Sequence, residues 1–309
     1  PGPKGLALFL LPREAEGRLN FRVRRFKEKL ATRAVPSGEV ELEGSLAHLI
    51  GKPEEGIYYT LENLTVSRLA NAAAAMGIAK KAHLEALFRV RRRSAFGRRL
   101  LEHHLVQHDL LEMRLRQVGG TALAFLAVAQ FDRVWEERPP YSEAYHLARL
   151  LSHLAKGRTA EHGTAVTQLA MELFGGLGFL EEYGVARWHR EALITPIWEG
   201  PANIQALDML EAIAKKGAHE PFLAMLRESP LALGAAERAL KRLQEEGPWH
   251  AKEALRRLAD AAAVYALERV AEEPFPELAR LYARRFLEGE ALPAQAGKPR
   301  LYDPWWSRS

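Results

Sequence analysis

Over the first fifty residues, apolar and polar positions alternate in short runs at residues 5–11, 19–26 and 39–50, separated by Pro12, Gly17, Pro36 and Gly38. This pattern predicts three β-strands. Three strands leave edges unpaired and one face uncovered, so partner strands are expected from elsewhere in the protein or from another chain. From about Gly56 the period changes, and Leu61, Leu64, Thr65, Arg68, Leu69, Ala72 and Met76 recur at helical spacing. They predict a long helix to about residue 93. A second helix is expected over residues 100–135, ahead of Pro139-Pro140, and a third over 142–174, with Ser142 as N-cap and Gly175-Gly176 as its stop. After an irregular stretch to Trp198, Pro201 suits a first helical position, and a fourth helix runs to about Lys216.

Long helices joined by short connections indicate an antiparallel four-helix bundle. The predicted fold is therefore mainly α, with three segments. These are a partial β-domain (1–55), the bundle (56–216) and a helical extension with its tail (217–309). Shorter helices are expected in the extension at 221–227, 235–246, 251–271 and 276–287. Trp305-Trp306 in the aperiodic tail are costly to leave in water and are expected to dock. The chain begins at Pro1 and enters a strand directly, which raises the expectation that a further segment precedes it.

The length of 309 residues is enough for one large domain or about two average ones. With Cys 0, the chain has no disulfide, iron–sulfur cluster, zinc–thiolate site or cysteine nucleophile, and a cytoplasmic location is expected. No apolar run approaches the roughly 18–20 residues of a membrane span. The net charge of +5 is modest. From Gly217 onward fourteen Lys+Arg face fourteen Asp+Glu, so the excess lies entirely in residues 1–216. Bulk charge in the extension therefore gives little support to DNA binding.

P-loop, nucleophile-elbow and EF-hand patterns are absent, and Gly176-Leu-Gly178 follows a helix rather than a strand, so a dinucleotide fingerprint fails on context. His104 and His108 are four apart, a spacing that suits a metal, but no third ligand is evident and a surface role is favoured. Arg89, Arg91, Arg92, Arg93, Arg98 and Arg99 form a basic run at a helix end. It reads either as a solvated terminus or as phosphate recognition by guanidinium forks. The basic strand positions Arg22, Arg24, Arg25, Lys27, Lys29 and Arg33 read mainly as a solvated sheet face. Glu199, in Ile197-Trp198-Glu199-Gly200-Pro201, precedes a helix, so capping is open to it. Partial burial beside Ile197 and Trp198 would instead raise its pKa and suit it to general-base work, and local physics leaves both readings standing.

Four motifs in one order resemble the acyl-CoA dehydrogenase family. Arg93-Ser-Ala95-Phe96-Gly97-Arg-Arg-Leu100 is similar to its Arg-x-x-Phe-Gly-x-x-Leu signature and is followed by His103-His104. Phe174-Gly175-Gly176-Leu-Gly178-Phe179 resembles its Gly-Gly turn, Arg190-Glu191 its Arg-Asp pair, and Ile197-Trp198-Glu199-Gly200 its Ile-Tyr-Glu-Gly. The resemblance implies a flavoprotein that removes an α-proton from an acyl-CoA thioester while a β-hydride passes to flavin N5. It assigns Glu199 as base, because Ser67 occupies the alternative position used by some members. It assigns Arg68 to the acyl-CoA, and Arg93, Ala95, Phe96, His103, His104, Glu172, Gly175, Gly176, Pro201 and Asn203 to FAD. Of these, Glu172 and His104 replace glutamines of the family pattern, and Pro201 and Asn203 replace its Thr and Gln. Trp-Glu-Gly with the extension looks most like the alkylation-response, AidB-like branch, in which dehydrogenase activity is weak and DNA association has been described. The implied partners are acyl-CoA, an electron-transfer flavoprotein, further copies of the chain in a dimer or tetramer, and, with less support, DNA. The N-terminal helical domain and first half of the β-domain of the family have no counterpart here, so a non-catalytic assembly fragment is the remaining reading.

Overall fold

The computed structural model describes residues 5–304. The Trp305-Trp306 expectation lies outside the described residues. The chain divides into two compact units, one ending at Ser67 and the other beginning at Arg68.

The first unit holds six short strands: β1 (Leu8–Leu10), β2 (Glu14–Ala15), β3 (Arg18–Leu19), β4 (Arg22–Phe26), β5 (Gly38–Glu41) and β6 (His48–Ile50). They pair antiparallel as β1–β6, β2–β3 and β4–β5. The predicted runs are thus broken further than alternation indicates, and Asn20 is one cause. Its buried amide donates to the Pro12 and Leu46 carbonyls at 2.9 and 2.8 Å and accepts from the Leu46 N–H at 2.9 Å. That cross-link ends one run and fixes the turn before β6. Arg22 and Arg25 stand exposed and pair with Glu41 and Glu39 across β4–β5, as a solvated sheet face requires. Phe9, Leu10, Phe26, Val40, Leu49 and Ile50 are all exposed, so the strands lack a covering layer of their own.

The helices are α1 (Gly56–Arg92), α2 (His104–Asp132), α3 (Glu143–Phe174), α4 (Gly184–Leu193), α5 (Ala202–Lys216), α6 (His219–Leu226), α7 (Pro230–Glu246), α8 (Ala251–Leu267), α9 (Phe275–Tyr282) and α10 (Pro299–Tyr302). Ser142 caps α3 by accepting from the Tyr145 N–H at 3.2 Å. In the second unit, Arg68 meets His153, Gly163 abuts Ala75, and Arg89 lies over the Phe174 ring. Residue numbers rise together along α1 and α3, so these helices run in the same direction, as the first and third members of an up-down bundle do. The stretch expected to be irregular before Trp198 contains α4. Its apolar face, including Val185 and Ala192, is short and flanked by charge, which hid its period.

Bundle and extension share one buried core running from Leu69 to Tyr302. A polar lock joins them. Arg158 on α3 grips Asp260 on α8 through Nε and Nη2 at 2.8 and 2.9 Å, and the Tyr282 hydroxyl donates to the same carboxylate at 2.6 Å. His162 Nε2 lies 3.1 Å from that hydroxyl, whose proton is already committed, so the ring donates to it. Asp260 is only 2% exposed, and removing one partner would strand a buried charge.

Two predictions follow from this packing. A Cβ at Gly119 would stand 2.0 Å from the Tyr282 ring, and the lock prevents that ring from moving aside. Gly119→Ala is expected to destabilise by about 1–3 kcal/mol in chemical denaturation, overriding a helix-propensity gain of about 1. Gly77→Ala, which meets nothing within 4 Å, should stabilise instead.

The second concerns pH. Burial first, then nearby arginine, holds the fully buried His83 and His153 down to about 3 from 6.5, and burial and two arginines hold His162 well below 6.5. Between those limits the unfolded chain binds more protons than the folded one, so stability falls as pH drops from about 6.5. Each ring adds a slope of about 1.4 kcal/mol per pH unit within its window. Urea midpoints from pH 7 to 4 should decline steeply, and a flat profile would refute neutral burial of these rings.

Candidate functional site

The loop between α4 and α5 carries Glu199 in a left-handed conformation, φ 59°, followed by Gly200 at φ 93°. Position 200 requires glycine on two counts: that φ, and a Cβ that would stand 2.9 Å from Ile204 and 3.0 Å from Gln205. Strain of this kind persists only where surroundings impose it. Here both carbonyls of the turn are tied inward. The Glu199 carbonyl accepts from Arg68 Nε at 3.1 Å and Gln205 Nε2 at 2.8 Å. The Gly200 carbonyl accepts from Gln205 Nε2 at 2.9 Å and Lys156 Nζ at 2.6 Å.

The hydrogen-bond logic fixes the rest of the cluster. Gln205 uses its amide nitrogen on the two carbonyls, so its oxygen accepts, and His153 Nδ1, 3.1 Å away, must be the donor. Arg68 Nη1, 3.3 Å from the same ring nitrogen, then faces His153 as a bare cation. Burial, then Arg68, lowers the His153 pKa to about 3, against the Gln205 bond. Arg68 also binds Asp208 at 2.9 Å, and its side chain is 6% exposed. All three guanidinium nitrogens therefore face protein groups, so Arg68 buttresses the turn from behind. One helical turn on, Asn71 donates to the Thr195 carbonyl at 2.9 Å and accepts from Trp198 Nε1 at 2.7 Å. The result is a half-buried Glu199 beside the exposed Trp198 and Ile197. Pro201 and Asn203, at the start of α5, are exposed next to it.

A second cluster forms where α1 and α3 end. Arg89, Arg93, Leu100, Val106, Glu172, Phe174, Gly175 and Gly176 line a cavity of about 580 Å³. The structure thus brings Arg93, Glu172, Gly175 and Gly176 together. At both glycines the space a side chain would fill is empty, leaving bare backbone accessible. Arg89 Nε is buried without a hydrogen-bond partner, and its guanidinium lies 5.8 Å from the Phe174 ring centre. Glu172 is exposed and held by Gln168 at 3.1 Å. Arg93 to Leu100 form a hairpin, β7 (Ser94–Ala95) with β8 (Arg98–Arg99). Its tip is Phe96, left-handed at φ 53° and 94% exposed, next to Gly97 at φ 80°. His103 packs edge-on against Phe96 and reaches the Ala95 carbonyl at 3.2 Å. His104 begins α2, exposed. Among the described residues no group of three or more His, Asp or Glu is arranged for a metal, and His108 lies against Asp109.

Sequence reasoning missed Asn71, His153, Lys156, Gln205 and Asp208, whereas Arg89 was already singled out in the basic run. A signal existed for several of them: His153 and Lys156 interrupt an apolar helix stripe, and Asn71 sits in an alanine run. A polar side chain on a buried stripe must find a partner.

Residues 54–214 match the model of the acyl-CoA dehydrogenase C-terminal domain. The putative acyl-CoA dehydrogenase AidB of Escherichia coli is 33% identical over 245 residues, covering 78% of this chain and 44% of that protein. The chain therefore spans about half the length of the curated relatives it matches. Caenorhabditis elegans ACDH-11, solved in complex with C11-CoA, superposes with a TM-score of 0.79 at 24% identity, over 99% of this chain and 58% of that one. An acyl-CoA dehydrogenase from Bacillus anthracis, solved with FAD, gives 0.68 at 17% identity, over 92% and 56%. No helix among the described residues is long and apolar enough to cross a membrane. The ordered motifs, the helical bundle and the match over residues 54–214 agree, and the chain belongs to the acyl-CoA dehydrogenase family, with AidB-like relatives.

Proposed function

We propose that the chain supplies the base and the adenosine-end contacts of an FAD-dependent site for α,β-dehydrogenation of acyl-CoA thioesters. The observation that carries this reading is the clamped left-handed turn. The two carbonyls of Glu199 and Gly200 are drawn into the bundle, which leaves the Glu199 carboxylate half-buried at the surface with its backbone fixed. A general base needs such a fixed position within hydrogen-bond reach of the carbon acid. Capping, its competitor, has no support, since α5 starts from Pro201 with no side-chain cap bond.

The second cluster fits the adenosine end of FAD. Arg93 and Arg89 would face phosphate, Phe174 would offer an aromatic face, and Gly175-Gly176 would allow close backbone approach. The Glu172 carboxylate opposes a phosphate and favours a hydroxyl or amine at its end of the cavity. FAD, when bound, supplies the acceptor for the hydride. Glu199 takes the α-proton onto its carboxylate, while Trp198 and Ile197 exclude water beside it. An electron-transfer flavoprotein is the proposed acceptor partner. Phe96, strained and exposed, is proposed to reach a neighbouring copy in a dimer or tetramer, because an apolar side chain presented at such backbone expense gains only by being covered.

A DNA-associated reading finds less support. Arg242, Arg256, Arg269, Arg284, Arg285 and Arg300 of the extension sit in ion pairs with glutamates, and the extension carries as many acidic as basic residues, which weakens its attraction for phosphates.

Two expected outcomes test the proposal. FAD titrated into the purified chain should give a bound-flavin absorption spectrum, with Arg93→Ala weakening affinity about tenfold, the loss of one charge-assisted bond. No bound flavin with a stable oligomer would instead establish an assembly role. In the FAD-loaded protein, Glu199→Gln should retain flavin but lose α-deuterium exchange of an acyl-CoA by about 10²–10⁴-fold. An unchanged exchange rate would remove Glu199 as base.

A further inference from the structure

Lys156 has no counterpart in the chemistry assigned so far. It stands on α3 with only 1% of its surface exposed, which is rare for an ammonium without a carboxylate partner. No carboxylate lies within ion-pair distance of it among the described residues, and it donates to the Gly200 carbonyl at 2.6 Å. That carbonyl belongs to the residue following Glu199. The groups facing it are known from each packed element. From α1 comes Arg68, paired with Asp208 of α5 at 2.9 Å and still acting on Lys156 as a cation. From α3 itself comes His153, neutral because its pKa lies near 3. From the loop comes Glu199, whose carboxylate acts on Lys156 through space.

Asp208 pairs with Arg68 and His153 is neutral, so the anion that acts on Lys156 from the turn itself is Glu199. We propose that Lys156 is the positioning residue of the Glu199 base: its ammonium clamps the Gly200 carbonyl and so holds the left-handed turn, and its charge is coupled to that of the Glu199 carboxylate. This inference rests on the base reading above and deepens it. Loss of the Glu199 charge would leave Lys156 holding its own proton less tightly.

The coupling has a sign. Burial, then Arg68, brings the Lys156 pKa down to about 8, while the Glu199 charge acts upward. Neutralising Glu199 removes the upward contribution and leaves the two downward ones.

The test is an NMR titration of the full chain carrying ¹³C-labelled lysine, without cofactor or substrate. One lysine resonance should titrate near pH 8 and should vanish in Lys156→Met. In Glu199→Gln the same resonance should titrate lower. An unchanged midpoint in Glu199→Gln would overturn the coupling. Lys156→Met should also raise amide hydrogen exchange at Gly200 and the start of α5, and unaltered exchange there would overturn the clamp. Failure of the base reading appears separately, as unchanged α-deuterium exchange in the FAD-loaded Glu199→Gln protein, and leaves both NMR results free to stand or fall.

Discussion

The turn at Glu199-Gly200 exists because two inward-facing carbonyls find four donor contacts from three helices. Without Arg68, Gln205 and Lys156 those carbonyls would be buried and unpaired, a penalty of about 1–3 kcal/mol each, and the turn would relax toward solvent. The constraint runs in both directions. Arg68 and Lys156 are themselves buried cations, tolerable only because backbone oxygen and Asp208 receive them. Loop and helices thus stabilise each other, and the carboxylate at the apex inherits a fixed position from the groups behind it.

A similar economy joins the bundle to the extension. Arg158, Asp260, Tyr282 and His162 form a connected polar set within the core, extended through Glu161 to Arg256 at its edge. Gly119 gives Tyr282 room to enter. The helices after Gly217 therefore continue the core of the bundle, and several of their surface arginines pair with glutamates.

The helical part was legible because α1, α2, α3 and α5 are long enough for a 3.6-residue period to emerge over several turns. The strands were less so: alternation located the runs, but Asn20 divides them through contacts eight and twenty-six residues away, which no local pattern encodes. Glu199 stood out through its motif and its place before a helix. Its supports did not, because Lys156 and Gln205 act across 44 and 5 or 6 residues on a backbone atom, and a backbone acceptor leaves no trace in side-chain identity. Phe96-Gly97 was visible as a motif, yet only the structure shows its price in backbone conformation, a left-handed phenylalanine almost entirely in solvent.

The two clusters differ in how complete they are within one chain. The Glu199 turn is held by its own protein: each inward carbonyl is paired and Trp198 is fixed by Asn71, although His153 Nε2 behind the turn is buried without a hydrogen-bond partner. The cavity at the ends of α1 and α3 is open by comparison, with a buried Arg89 Nε lacking a partner, bare glycine backbone and the Phe96 hairpin projecting beside it. Paired carbonyls need nothing further to hold the turn, whereas the open cavity gains free energy from whatever supplies an acceptor to Arg89 and covers the apolar tip. In the proposed reading these are the natural states of a base, which must be positioned before substrate arrives, and of a cofactor site, whose polar groups are matched only when the cofactor and a neighbouring surface complete it.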